Sequence, residues 1–166
     1  MMQTKRCNRL DDFLMKKMLN SEKKHFSDDE CYQAYRKFLK LTTKDGKRIA
    51  ATQTIKKWFG IGGIKRPNRE GLFKIGFDLR LSVKEMEELF VYVMREPDFQ
   101  INDYREMIFL YGFYHQMTYD DCIKMIDCFE KSLPGDLSIR QHNCTIFGKN
   151  TVKTVNWMRM IFCSGC

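Results

Sequence analysis

The sequence predicts an all-α fold, and three observations carry that prediction. Two capping boxes, Ser27-Asp-Asp-Glu30 and Ser82-Val-Lys-Glu85, each stand just before a stretch with apolar residues three to four apart. A helical pattern that begins at Arg69 recurs without a gap from Arg105. The chain has only 3 prolines in 166 residues and is rich in Leu, Met, Phe, Glu and Lys, all compatible with helix interiors. Eight or nine helices and no sheet are expected.

The elements follow in order. Asn8 to Leu19 reads as a first helix, with Asp11 and Asp12 in its first turn and Leu10, Phe13, Leu14 and Met18 on its apolar face. A second helix starts at Ser27, with Tyr32, Tyr35, Phe38 and Leu39 as its buried stripe. The stretch Thr42 to Arg48 contains Asp45-Gly46 and reads as a turn or loop. Thr52 to Phe59 is a short helix. Ile55, Trp58 and Phe59 face inward, while Thr52, Gln53, Lys56 and Lys57 project from the other side. The segment Gly60-Ile-Gly-Gly-Ile-Lys-Arg-Pro67 cannot continue a helix. Asn68 caps a fourth helix that ends near Arg80, and a fifth runs from Ser82 to about Met94.

The recurrence is residue by residue. Arg69-Glu70, Leu72-Phe73, Gly76-Phe77, Leu81-Ser82 and Glu85 match Arg105-Glu106, Ile108-Phe109, Gly112-Phe113, Met117-Thr118 and Asp121, each 36 residues later. A repeated helix-turn-helix unit of this length suggests stacked hairpins. It marks Leu72, Phe73, Phe77, Leu81, Ile108, Phe109, Phe113 and Met117 as core. Gly76 and Gly112 sit mid-helix, where glycine costs about 1 kcal/mol against alanine, so close helix approach is expected there. After Leu133-Pro-Gly-Asp136 the periodicity fades, until Asn150 caps a last apolar helix through Phe162. Three parts of one body are expected: 1–67, a basic helical half; 68–132, the duplicated hairpins; and 133–166, a C-terminal helical extension.

Charge is segregated. From Arg36 to Arg69 there are eleven Lys or Arg and one acid; from Asp78 to Asp136 there are six Lys or Arg and thirteen acids. The net charge of +8 is therefore local to one segment. It fits a side that faces a polyanion, nucleic acid first, or a solvated lysine-rich surface. There is no apolar run long enough to span a membrane and no apolar core near the N-terminus as in a signal peptide, so a cytoplasmic protein is expected. The 7 cysteines, odd in number, read as reduced thiols. The aromatic and methionine content mostly fills a core.

The basic stretch has its own grammar. Thr52-Gln53-Thr54-Ile55-Lys56-Lys57-Trp58 is followed by a basic turn with proline, Lys65-Arg66-Pro67. Then comes Leu72-Phe-Lys-Ile75-Gly-Phe77-Asp-Leu79-Arg-Leu81-Ser82. This resembles the phage-repressor-type (XRE-like) helix-turn-helix family over about residues 30–90, most specifically over 52–82. The chain departs from that family in the first helix of the motif, which is degenerate: Thr42 to Ala51 has room for about one turn. The resemblance implies a DNA-binding bacterial or phage regulator with Thr52–Phe59 as recognition helix. It implies that Thr52, Gln53, Thr54 and Lys57 face bases, that Lys56, Lys65, Arg66 and Arg69 meet the phosphate backbone, and that Ile55, Trp58 and Phe59 are anchors only. Short polar side chains can reach base edges in a major groove, and cations neutralise phosphates.

Other chemistries find little support. Gly60-Ile-Gly62-Gly63 lacks the Walker spacing and reads as a flexible turn. Cys163-Ser-Gly-Cys166 has no second such pair, so no zinc site is expected. His25, His115 and His142 stand near no nucleophile or carboxylate at a telling spacing, and the first-turn carboxylates are explained by capping. No catalytic residue, metal or cofactor is expected. The expected partner is duplex DNA, with a homodimer or protein partner through residues 78–130 or the C-terminal helix. The alternative is a non-enzymatic protein-interaction adaptor, of host-interaction or phage-defence type, built on the same fold.

Overall fold

A computed structural model describes residues 9–44 and 46–132. They are mostly helical. In order they form α1 (Leu10–Leu19), α2 (Asp28–Thr42), β1 (Thr43–Lys44), β2 (Lys47–Arg48), α3 (Thr52–Trp58), α4 (Arg69–Asp78), α5 (Val83–Glu87), α6 (Tyr104–Tyr114) and α7 (Tyr119–Ser132). A π-helical segment, Glu88–Met94, continues α5. The chain separates into two compact units, Met1–Asp98 and Phe99–Cys166. That boundary lies between the two matching helix pairs, whereas the sequence pattern suggested divisions at residues 67 and 132. The expected helix from Asn150 and the Cys163/Cys166 pair lie outside the described residues.

The caps act where the sequence puts them. The Ser27 hydroxyl accepts from the Glu30 amide, and the Glu30 carboxylate accepts from the Ser27 amide. Ser82 and Glu85 do the same at the start of α5. Asn68 accepts from the Gly71 amide at 2.9 Å. Such caps are each worth about 1 kcal/mol and fix where a helix begins.

In the first unit α1 packs on α2 and on the π-helical segment, and α2 also meets α4. Leu10, Phe13, Leu14, Met15 and Met18 of α1 are buried. Phe73 of α4 meets Phe90 edge to face, with ring centres 5.2 Å apart. At the rim of this packing Lys17 of α1 bridges to Glu85 of α5, and the Lys37 ammonium donates to the Met18 carbonyl. In the second unit α6 packs on α7. Tyr104 lies against Phe129 and Phe109 stacks on Tyr119. Buried Glu106 accepts from the Gln100 amide at 2.7 Å.

Two helix ends have the same local geometry. At the end of α4, Arg80 is left-handed (φ 50°), the Leu81 amide donates to the Gly76 carbonyl at 2.9 Å, and the Arg80 amide to that of Phe77. At the end of α6, Gln116 is left-handed (φ 53°), the Met117 amide donates to the Gly112 carbonyl at 2.9 Å, and the Gln116 amide to that of Phe113. Both are Schellman ends, which satisfy carbonyls that the helix leaves open. Thr118 and Asp121 then bond reciprocally, as Ser82 and Glu85 do.

Three expectations need correction. No sheet was expected, but the stretch read as a turn or loop holds a minimal antiparallel ribbon, with Thr43 opposite Arg48 and Lys44 opposite Lys47. An Asp-Gly pair between lysines favours that tight reversal. The buried face of α2 is Ala34, Tyr35, Phe38 and Thr42; Tyr32 is exposed and Leu39 half-buried. Small Ala34 sits where a large apolar residue was sought, and the buried Thr42 hydroxyl is satisfied by the Phe38 carbonyl at 2.9 Å. The helix expected from Ser82 to Met94 is not α throughout, since its second half has the wider π turn, and no glycine or proline within it announces the change.

Candidate nucleic-acid interface

The basic stretch is built on α3. This helix has no side-chain cap, because Ala51 stands at its N-cap position. Its start is braced by the Arg48 guanidinium on β2, which donates to the Thr52 hydroxyl. Its inner face is apolar: Ile55, Trp58 and the following Phe59 are all buried. Phe59 meets Phe38 of α2 at 5.3 Å and Tyr35 at 6.1 Å, and Trp58 meets Phe38 at 6.2 Å, all edge to face. Pairs in this geometry are worth about 0.5–1.5 kcal/mol beyond the area they bury. Aromatic anchoring thus fixes which side of α3 faces out.

The outer side carries Gln53 and Lys57, both exposed, with Thr52, Thr54 and Lys56 half-buried beside them. The helix ends at Trp58 with Phe59 as its C-cap, and Gly60 after it is left-handed (φ 74°). The Ile61 amide donates to the Lys56 carbonyl at 3.0 Å, and the Gly60 amide to that of Lys57 at 3.3 Å. A β-carbon at residue 60 would lie 3.4 Å from an Asp11 carboxylate oxygen, so the turn runs close along α1. The chain then loops out and returns. The Lys65 amide donates to the Lys57 carbonyl at 3.4 Å, which brings two cationic residues to one end of α3. Lys65 and Arg66 are exposed, and Pro67 closes the loop, buried.

The charges divide into two groups. Lys44 is paired with Asp78. Among the described residues no carboxylate pairs with Lys47, Lys56, Lys57, Lys65 or Arg66. Lys47, on β2, was not singled out from the sequence; a loop reading hid it, and only the ribbon presents it. Arg69 goes the other way. Expected on the phosphate side, it is committed to its own chain. Its guanidinium donates to the carbonyls of Pro97 at 2.8 Å and Asp98 at 2.9 Å, and lies 4.3 Å from the centre of the Phe90 ring. The sequence could not show this, because the partners are main-chain carbonyls and a ring about two dozen residues on.

Elsewhere several titratable groups are held by burial or by partners within the chain. Among the described residues no group of three or more His, Cys, Asp or Glu could hold a metal ion. Burial raises the Cys31 thiol, with help from Asp28, and pushes the Cys122 thiol up to about 12, which leaves both protonated at neutral pH. The Tyr104 hydroxyl is also raised, by burial and by its bond to Glu130. His25 lines a cleft with Arg9, Asp11, Asp12, Lys16 and Lys24, where Arg9 pairs with Asp11 and Lys16 with Asp12. No helix among the described residues is long and apolar enough to cross a membrane.

No protein-family model matches the chain, and neither the curated proteins nor the solved structures contain a significant match.

Proposed function

We propose that this chain is a DNA-binding regulator of the helix-turn-helix type, of the bacterial or phage kind, which presents α3 to a duplex. The observation that carries the reading is the set Lys47, Lys56, Lys57, Lys65 and Arg66, unpaired among the described residues, around one short helix held by aromatic anchors. Cations that pair with no acid among the described residues, gathered on α3, the turn after it and β2, fit a polyanion. In this reading Gln53 and Lys57, with Thr52 and Thr54 beside them, address base edges. Lys56, Lys65, Arg66 and the added Lys47 address phosphates, and Arg69 is left out. The order α3, basic turn, α4, α5 supports the resemblance to phage-repressor proteins. The ribbon at 43–48 stands where that family has its first motif helix, so α3 is positioned by α2 and the ribbon together. The matching ends of α4 and α6 support α4–α5 and α6–α7 as two copies of one hairpin.

The test is an anisotropy titration of labelled genomic duplexes at two salt concentrations. Wild type binds at low salt and weakens steeply as salt rises, while Lys56→Glu/Lys57→Glu lowers affinity by about tenfold or more. No binding at low salt, or binding untouched by the double reversal, sinks the reading.

One observation favours a second role for the acidic region. Ile101 and Tyr114 are 58% and 69% exposed there, bare apolar side chains within residues 78–130. They are the anchors we assign to a second copy or a protein partner. Ile101→Ser/Tyr114→Ser should then release that partner, or shift the chain towards monomer in sedimentation. An unchanged assembly would remove this role.

A further inference from the structure

We infer that Ile64 is an apolar wedge that enters the duplex beside the cations at the end of α3 and bends it. The inference rests on the DNA-binding reading and adds to it a specific contact and a deformation. Ile64 is 74% exposed, more than Tyr32, Leu41, Ile101 or Tyr114. It follows Gly62 and Gly63, both of positive φ (71° and 122°), and nothing lies within 4 Å of where their β-carbons would stand. The loop tip is therefore bare. Its base is not. The Ile61 amide is bonded to Lys56, the Lys65 amide to Lys57, Pro67 is buried and Asn68 caps α4. A held base carries Ile64 next to Lys65, Arg66 and the end of α3.

An exposed isoleucine among cations that pair with no carboxylate of the described residues suits a partner whose exterior is anionic and whose interior is apolar and reachable. Duplex DNA is such a partner. Proteins that bend it insert Ile, Leu, Phe or Met between base steps while nearby cations hold the phosphates. An anionic membrane offers the same two features, but stable attachment there uses a broad apolar face. The outer side of α3 has no such face, since Gln53 and Lys57 are its exposed residues.

The experiment uses the full chain and a short mixed-sequence duplex carrying a donor and an acceptor dye at its ends. Wild type should bring the ends together on binding, as a bend of roughly 20–90° would. Ile64→Ala, at an exposed position that leaves the fold intact, should bind about three- to tenfold more weakly, with the same salt slope because no charge is lost. It should leave the end-to-end distance at that of the free duplex. If Ile64→Ala bends the duplex as wild type does, the wedge is overturned while DNA binding stands. If wild type does not bind the duplex at low salt, the DNA-binding reading fails and the wedge with it; if wild type binds without drawing the ends together, the wedge alone is overturned. Ile64-dependent binding to phosphatidylserine vesicles, without bending of the duplex, would also overturn the proposal.

Discussion

The guanidinium of Arg69 lies 4.3 Å from the centre of the Phe90 ring and ties the first residue of α4 to the π-helical segment. It also reaches the Pro97 and Asp98 carbonyls and the Glu96 carboxylate, so one side chain gathers the start of α4 and the strand of chain that leaves the first unit. A planar fork can do this and an ammonium cannot.

Arg69→Ala should therefore cost about 2–3 kcal/mol, from charged hydrogen bonds and the ring contact together. Arg69→Lys should recover less than half of the loss. Urea denaturation measures both. Duplex affinity per folded molecule should stay at the wild-type value. A variant with wild-type stability and weakened DNA binding would reverse the assignment and return Arg69 to the phosphate side.

Glu85 provides a pH-dependent prediction. Burial raises its carboxyl, but bonds from the Lys17 ammonium and from the Ser82 amide and hydroxyl outweigh that, and the net shift is downward from 4.5. A carboxyl lowered in the folded state stabilises above its unfolded pKa, and that stability is lost as pH falls through the folded value. The Glu85 contribution should thus be constant at neutral pH, begin to fall below about pH 4.5 and be gone once pH lies below the lowered value that Glu85 has in the folded chain. Glu85→Gln keeps part of the cap and loses the ion pair. It should be less stable than wild type by about 0.5–1.5 kcal/mol at pH 7 and converge with it in acid. A gap that persists unchanged in acid would show that Lys17 and the cap do not act through the ionised carboxylate.

How much of this was legible follows the range of the forces. The starts of α2, α4 and α5 were readable in Ser27, Asn68 and Ser82 because cap bonds span three residues. The paired ends of α4 and α6 were half-readable. The end of α4 was readable near Arg80, but Gly76 and Gly112 read as mid-helix packing positions, and Arg80 and Gln116 in left-handed geometry carry no sequence signal, as glycine would. The face of α2 is not legible from residue type, because large Tyr32 is exposed while small Ala34 lies in the core. In the basic stretch, Gln53 and Lys57 on one side and Trp58 on the other follow from helical spacing alone. The meeting of Lys57 with Lys65 depends on a backbone bond across a glycine loop, and the engagement of Arg69 depends on carbonyls far along the chain. Neither has a local pattern.

Trp58 links the anchor of α3 to its outer face. The indole is only 4% exposed and stands edge-on to Phe38, yet its Nε1–H has no hydrogen-bond partner among the described residues. A buried donor without an acceptor costs about 1–3 kcal/mol, which offsets part of what the ring contributes by burial. Trp58→Phe removes that donor and keeps an aromatic against Phe38, so it should stay within about 1 kcal/mol of wild type. Trp58→Ala leaves a cavity and should cost about 3–5 kcal/mol. Because the ring seats α3, Phe at this position should preserve duplex binding. Ala should weaken it even under conditions where most molecules remain folded. Urea midpoints and the same anisotropy titration separate the two effects. If Trp58→Phe proves as costly as Trp58→Ala, the indole N–H has a partner, and Trp58 is then a polar anchor rather than an apolar one.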